Sequence, residues 1–187
     1  MMPVIRINDA TFANISTLRT WFATKTPSET IDKLVRDAME ELGIERDDEG
    51  PEEIATAAGQ TMQFLTTPGL AFTKPITASI NGKALEKPRW SSVLHAMIAQ
   101  IKYKGLEGEK LARELGIPAK NGRYEDEGFK FLSDVGISIQ GQSAADAWKE
   151  IDRIAKKWRI AVVIDFAWRQ NPKAQHPGRM GSLRSGH

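Results

Sequence analysis

The feature that most constrains the fold is a well-capped amphipathic helix near the N-terminus. Thr26 is a favoured N-cap, Pro27 suits the first helical position, and Glu29 stands three residues after the cap, as in a capping box. Apolar residues then recur at i, i+3, i+4, i+7, i+8 and i+11, namely Ile31, Leu34, Val35, Ala38, Met39 and Leu42. Gly43 is a typical helix terminator, so the pattern predicts a helix over 27–42.

A shorter helix and a short strand precede this segment. The stretch DATFANISTLRTWFAT places Phe12, Ile15 and Phe22 at helical spacing, with Asn8 or Asp9 as the N-cap. The stretch PVIRIND before it alternates apolar and polar residues for a few positions only. A lone strand of this length leaves its backbone donors and acceptors unpaired, so it requires a partner.

The order of strand, helix, sharp turn and capped helix resembles the ribbon-helix-helix family of DNA-binding proteins. VIRIND, the first helix from about Thr11, and TPSETIDKLVRDAM carry the resemblance, which covers about the first 43 residues. One copy is too small to bury a core, so two copies would intertwine, with each strand pairing antiparallel with its twin. The resemblance implies a homodimer whose two-stranded ribbon enters the major groove of double-stranded DNA.

The alternation along the strand divides its side chains between two faces. Ile5 and Ile7 would face the helices, while Val4, Arg6 and Asn8 would face outward. Arg can bind guanine and Asn can bind adenine with two hydrogen bonds each, so these outward residues are the expected base readers.

The start of the second helix is the expected phosphate contact. Its free amides, near Thr26 and Ser28, would point at a DNA phosphate, helped by Lys25. The segments IRIND and PSETIDKLVRDAM are also similar to the N-terminal oligomerisation module of the SeqA family. That resemblance implies self-association through this module and DNA binding elsewhere, so dimerisation without DNA contact remains an alternative.

Charge is unevenly distributed along the 187 residues. The net charge is +2, but residues 47–60 contain five acids and no base, whereas residues 61–187 carry a net charge of +8. We therefore predict an α+β protein with a ribbon-helix-helix-like dimerisation module at 1–45, an acidic linker at 46–66, a separate basic α+β domain at 67–169, and a mobile basic tail at 170–187.

The second region offers possible accessory nucleic-acid contacts. KPRW and DFAWRQNPKAQHPGR interleave aromatic and basic residues, which is typical of sites where bases stack, and the cations concerned are Lys87, Arg89, Arg169, Lys173 and Arg179. Trp90 and Trp168 fit a core position better than an exposed stacking position. Within the same region, Asn81-Gly82 predicts a tight hairpin turn and Ser143 a helix N-cap.

Several classes of function have no support in the residues. There is no cysteine, the three histidines are scattered, and no apolar run is long enough for a bilayer, so we expect no metal, no cofactor, no membrane partner and a cytoplasmic location. No nucleophile–base pair or phosphate loop is recognisable, which favours a regulator of transcription or replication over an enzyme. The alternatives are an oligomerisation scaffold whose C-terminal domain binds a protein or small ligand, and, less favoured, a nuclease with dispersed acidic residues.

Overall fold

The computed structural model describes residues 4–44, 61–64 and 66–186. Its elements are α1 (Asp9–Phe22), α2 (Pro27–Leu42), β1 (Met62–Gln63), β2 (Thr73–Ile80), β3 (Lys83–Ala84), α3 (Trp90–Tyr103), α4 (Gly108–Glu114), β4 (Ala119–Asn121), β5 (Phe129–Leu132), β6 (Ile137–Gln140), α5 (Ala144–Trp158), β7 (Val162–Trp168) and β8 (Met180–Ser185). The predicted α+β class is confirmed.

The chain divides into two compact units, Met1–Met39 and Glu40–His187. The boundary falls inside α2, six residues before the predicted end of the first module at 45. Most of the predicted acidic linker at 46–66 lies outside the described residues. The prediction of a linker is wrong for the last part of this range, because residues 62–63 form β1 and pair with β8.

The first unit has almost no core of its own. Within residues 4–39, Ile15 and Thr30 are the buried side chains. The Thr30 hydroxyl lies 2.6 Å from the Thr24 hydroxyl and donates to the Thr26 carbonyl at 3.1 Å, which ties the turn between the helices to the start of α2. Two short helices with one buried apolar side chain are poorly stabilised by internal packing.

A five-stranded sheet forms the centre of the second unit. Its order is β1-β8-β7-β2-β3, with every pairing antiparallel except β1 with β8. The predicted turn at Asn81-Gly82 is confirmed: both residues have positive φ angles, as a tight hairpin turn requires, and they join β2 to β3. A second, three-stranded antiparallel sheet has the order β4-β6-β5.

Buried and less buried side chains alternate along most of β2 and β7, so one face of the larger sheet is covered. Val162, Ile164, Phe166 and Trp168 on β7 are fully buried, and they join α3 and α5 in a single hydrophobic core. The apolar stripe of α3 (Val93, Leu94, Met97, Ile98 and Ile101) and that of α5 (Ala147, Trp148, Ile151, Ile154 and Ala155) supply the helical side of this core.

The prediction of a mobile tail at 170–187 is wrong. Residues 180–185 form β8, which lies between β1 and β7 in the sheet and buries Leu183. The loop before it is held by backbone hydrogen bonds, including one from Gly178 N to Trp168 O at 3.1 Å. The sequence does not predict this strand, because its small and polar residues (Gly181, Ser182 and Ser185) lack the apolar alternation that usually marks a strand.

Candidate nucleic-acid interface

The expected ribbon residues are exposed in the single chain and lie outside its helices and strands. Val4 and Ile5 are 86% and 84% exposed, and Ile7 is 42% exposed. Residues 4–8 form no strand with any other described part of the same chain. Apart from the Asn8 carbonyl, which accepts from Phe12 N at 3.0 Å, the backbone groups of this segment pair with no described strand.

Asn8 has a structural role in addition to its predicted one. It is the N-cap of α1, and its side-chain oxygen accepts a hydrogen bond from Thr11 N at 2.8 Å. Helix α1 consequently begins at Asp9, as predicted for Asn8 as the N-cap. Reading adenine with both ends of the carboxamide would compete with this cap, because the same oxygen would have to accept from the base.

The start of α2 has half of the predicted capping box, because the Glu29 carboxylate accepts from the N–H of the residue before the N-cap. Glu29 N donates to the Thr26 hydroxyl at 3.2 Å, and the Glu29 carboxylate accepts from Lys25 N at 2.7 Å. Lys25, Thr26 and Ser28 are all exposed around this helix start. The arrangement places one carboxylate beside the proposed phosphate position, which weakens the attraction of the helix start for an anion.

The apolar stripe of α2 is partly uncovered. Ile31 and Val35 remain 37% and 47% exposed. Both cations of the helix pair with acids of the same helix, since Arg36 lies 2.8 Å from Asp32 and Lys33 lies 3.7 Å from Asp37. The helix thus combines a polar side of net negative charge with an apolar stripe that this unit does not cover.

The predicted accessory cations fall into two groups in the second unit. Lys87 and Arg89 precede α3, whereas Arg169, Lys173 and Arg179 lie on the loop between β7 and β8. Lys87, Lys173 and Arg179 are exposed, and Arg89 and Arg169 are half-buried. The two aromatic residues of the same stretches belong to the core, because Trp90 is 2% exposed and Trp168 is fully buried. Neither indole is available for base stacking.

A cleft in the second unit gathers cations that the sequence reasoning did not single out. It has a volume of about 690 Å³ and is lined by residues 64, 66 and 67, by one side of α5 from Trp148 to its C-cap Arg159, and by the end of β8. Lys156, Arg159 and Arg184 lie in its wall. No local pattern in the sequence marks them, because Lys156 and Arg159 come from the end of α5 and Arg184 from β8.

A smaller pocket of about 300 Å³ holds a histidine and a carboxylate. His95 Nε2 lies 2.7 Å from Asp134 Oδ1, with Ser92 also in the pocket wall. The Ser92 hydroxyl donates to the Arg89 carbonyl at 3.0 Å and accepts from Arg89 N at 2.8 Å. Its proton is therefore not directed at the histidine, as a nucleophile–base pair would need.

The most buried charges of the second unit form a compensated network. The Glu150 carboxylate accepts from Gly116 N at 2.9 Å and from the Arg153 guanidinium at 2.7 and 2.8 Å. Burial alone would raise the pKa of Glu114, but hydrogen bonds from Lys157, the Trp158 indole and Arg153 together hold it below its usual value. The pKa of Arg153 is raised, chiefly by its hydrogen bonds with Glu150. These contacts join α4 to α5 and identify the network as structural.

Comparison with protein-family models, with curated proteins and with solved structures finds no match for this chain. Within the described residues, no helix is both long and apolar enough to cross a membrane, and no group of three or more potential ligands could hold a metal ion. The interpretation of the candidate interface therefore depends on the residues themselves.

Proposed function

We propose that the protein is a homodimeric double-stranded DNA-binding protein whose first unit forms both the dimer interface and the DNA-reading ribbon. The observation that carries the proposal is the exposed segment Val4–Asn8, which leads directly into α1 and pairs with no described strand. A regulator of transcription or replication is the biological role that such a reader fits best.

Self-association is the first step of the argument. Two copies of Val4–Asn8, paired antiparallel, would satisfy each other's backbone groups and place Ile5 and Ile7 of both chains on one face. The exposed stripe of α2, with Ile31 and Val35, provides apolar surface for the same interface. One contact of this kind removes both deficiencies of the isolated unit, the unpaired backbone and the uncovered apolar side chains.

DNA reading is the second step. The face opposite Ile5 and Ile7 presents Val4, Arg6 and Asn8, and a two-stranded ribbon has the width of the major groove. Because the Asn8 oxygen caps α1, we assign the main sequence preference to Arg6, whose guanidinium makes no ion pair within the described residues. Lys25 and the exposed N-terminus of α2 would hold the flanking phosphates.

The test is a selection of bound duplexes from random pools, methylated and unmethylated, at a stated salt concentration. The wild-type chain should enrich a two-fold-symmetric site, and Arg6→Ala should relax preference at one base pair per half-site by about 1–3 kcal/mol while leaving the dimer intact. Lys25→Ala should weaken binding to all duplexes about equally.

Arg113→Ala provides the matched control, because Arg113 is an exposed cation on α4, 79% exposed and paired with Glu109. It should leave the selected site unchanged. If Arg6→Ala enriches the same sequences as the wild type does, the ribbon is not the reader. If the dimer forms but no duplex is retained, the alternative of an oligomerisation module without DNA contact replaces the proposal.

A further inference from the structure

We propose that the cleft between α5 and the end of β8 binds a small organic phosphate through Arg159 and Arg184. This inference concerns the second unit and is independent of DNA binding by the first. The cleft of about 690 Å³ lies within the range of roughly 300–1,000 Å³ that small-molecule sites usually occupy.

The charges in the cleft are not balanced. Among the described residues that line it, Asp152 is the one carboxylate. It accepts from Lys156 Nζ at 2.7 Å and from the Ser185 hydroxyl at 2.6 Å, so its charge is already compensated. Arg159 and Arg184 line the same cleft and make no ion pair within the described residues. Two guanidinium groups facing one concave space favour a ligand with a phosphate, which accepts several hydrogen bonds at once.

The backbone at Arg159 is the second, independent observation. Arg159 has φ 51° and ψ 56° at the C-cap of α5, a left-handed conformation in which glycine is the usual residue. A large side chain at this position makes the backbone less favourable without contributing to the core, because Arg159 is exposed. Non-glycine residues held in this conformation are frequent at ligand sites, and here the side chain lines the cleft.

The remaining wall of the cleft fits the organic part of such a ligand. Phe64, Trp148 and Leu183 provide an apolar surface, and the Thr66, Thr67 and Ser185 side chains add hydroxyl groups. The Thr67 hydroxyl accepts from the Trp148 indole at 3.1 Å, which joins segment 66–67 to α5 across the cleft. Polar and charged side chains make up most of the wall, so the cleft suits a ligand whose organic part is small beside its phosphate.

The close approach of two chain segments fixes the end of the cleft. Gly186 has φ 77°, and a Cβ atom there would collide with the Ile160 carbonyl oxygen. This contact holds the residue after β8 against the residue that follows Arg159. The backbone segments that carry Arg159 and Arg184 are therefore held against each other. Binding a ligand then requires ordering of the two side chains and not of their backbone, which lowers the entropic cost.

The full-length chain should be titrated by calorimetry with inorganic pyrophosphate, with AMP and with a short single-stranded oligonucleotide. We expect pyrophosphate and AMP to bind and chloride to compete weakly. Arg159→Gly should weaken both by at least about tenfold, because it removes a charged donor, while its melting temperature stays equal or rises since glycine prefers this backbone conformation. Arg184→Ala should weaken binding to a similar extent.

Ala23→Gly is the matched control for the backbone change, because Ala23 is exposed, has φ 53° at the C-cap of α1 and does not line the cleft. It should gain the same backbone benefit and leave the affinity for AMP unchanged. The proposal is overturned if the wild type binds neither pyrophosphate nor AMP, or if Arg159→Gly binds them as the wild type does. Binding of the oligonucleotide alone, if Arg159→Gly abolishes it, would assign the cleft to nucleic acid and also overturn the proposal. Arg6→Ala should retain AMP binding, so failure of DNA reading and failure of this site are distinguishable.

Discussion

Substitutions at two adjacent residues of the ribbon test the dimer directly. Val4 and Ile5 are equally exposed in the single chain, at 86% and 84%, so exposure alone predicts equal effects for Val4→Asn and Ile5→Asn. The proposed ribbon predicts unequal effects, because side chains alternate between faces. Ile5 would be covered by the helices of the dimer, whereas Val4 would point at the DNA groove.

The size of the effect follows from the area that remains to be covered. Full burial of an Ile side chain contributes roughly 1.5–3 kcal/mol, so the exposed 84% of Ile5 corresponds to about 1.3–2.5 kcal/mol per chain. A symmetric dimer loses this amount twice, or about 2.5–5 kcal/mol. Ile5→Asn should therefore raise the dimer dissociation constant by about a hundredfold to a few thousandfold.

Sedimentation equilibrium over a range of protein concentrations measures the dissociation constant directly. Val4→Asn should keep the wild-type value and change duplex selection instead. Tyr103→Ser is the control for a general effect of surface polarity, because Tyr103 is 85% exposed at the end of α3 in the other unit. Equal dissociation constants for Val4→Asn and Ile5→Asn would refute the alternating ribbon, and a monomeric wild type would refute the dimer.

Three further predictions concern the second unit. Arg153→Met leaves the Glu150 carboxylate, which is 4% exposed, with Gly116 N as a remaining partner. Urea denaturation should show that the unfolding free energy falls by about 3–5 kcal/mol, and the double substitution Arg153→Met with Glu150→Met should restore most of this loss. Folding lowers the pKa of Glu114, so this residue stabilises the protein fully above its pKa in the unfolded chain and loses that effect as pH falls through its pKa in the folded chain. Lys157→Ala should therefore reduce the dependence of the melting temperature on pH in the acidic range. Deleting residues 180–187 should abolish the cooperative unfolding of this unit seen by circular dichroism, whereas loss of a mobile tail would leave it unchanged.

The elements predicted correctly were those specified by local chemistry. The capping of α2 by Thr26, with Pro27 and Glu29 in the first turn, fixes the start of that helix without any distant contact. Ser143 likewise caps α5, accepting from Asp146 N at 3.2 Å. Such signals involve residues three or four positions apart, so a single sequence is sufficient to identify them.

The elements missed were those that depend on distant pairing. β1 is two residues long and is defined only by its parallel pairing with β8, more than 110 residues later. β8 itself carries Gly181 and Ser182 on a strand whose burial comes from neighbours on both sides. Local propensity argues against a strand for both segments, and the sheet as a whole overrides it.

The candidate cleft was missed for a related reason. Lys156 and Arg159 come from the end of α5, and Arg184 comes from a strand that the sequence did not predict. Cations distributed over such distances are indistinguishable in sequence from an ordinary solvated surface. The left-handed backbone at Arg159, which selects it among the exposed arginines, is visible in the structure alone.

The charge distribution limits how much of the DNA affinity the first unit can supply. Arg6, Arg19 and Lys25 are the cations of residues 4–39 that make no ion pair there, since Lys33 and Arg36 pair with acids of their own helix. A dimer thus offers at most six such cations, for which the logarithm of the binding constant should fall with the logarithm of salt concentration with a slope no steeper than about −5. A slope within this limit is consistent with binding by the ribbon unit alone. A steeper slope would require phosphate contacts from the second unit, where Lys87, Lys173 and Arg179 are exposed.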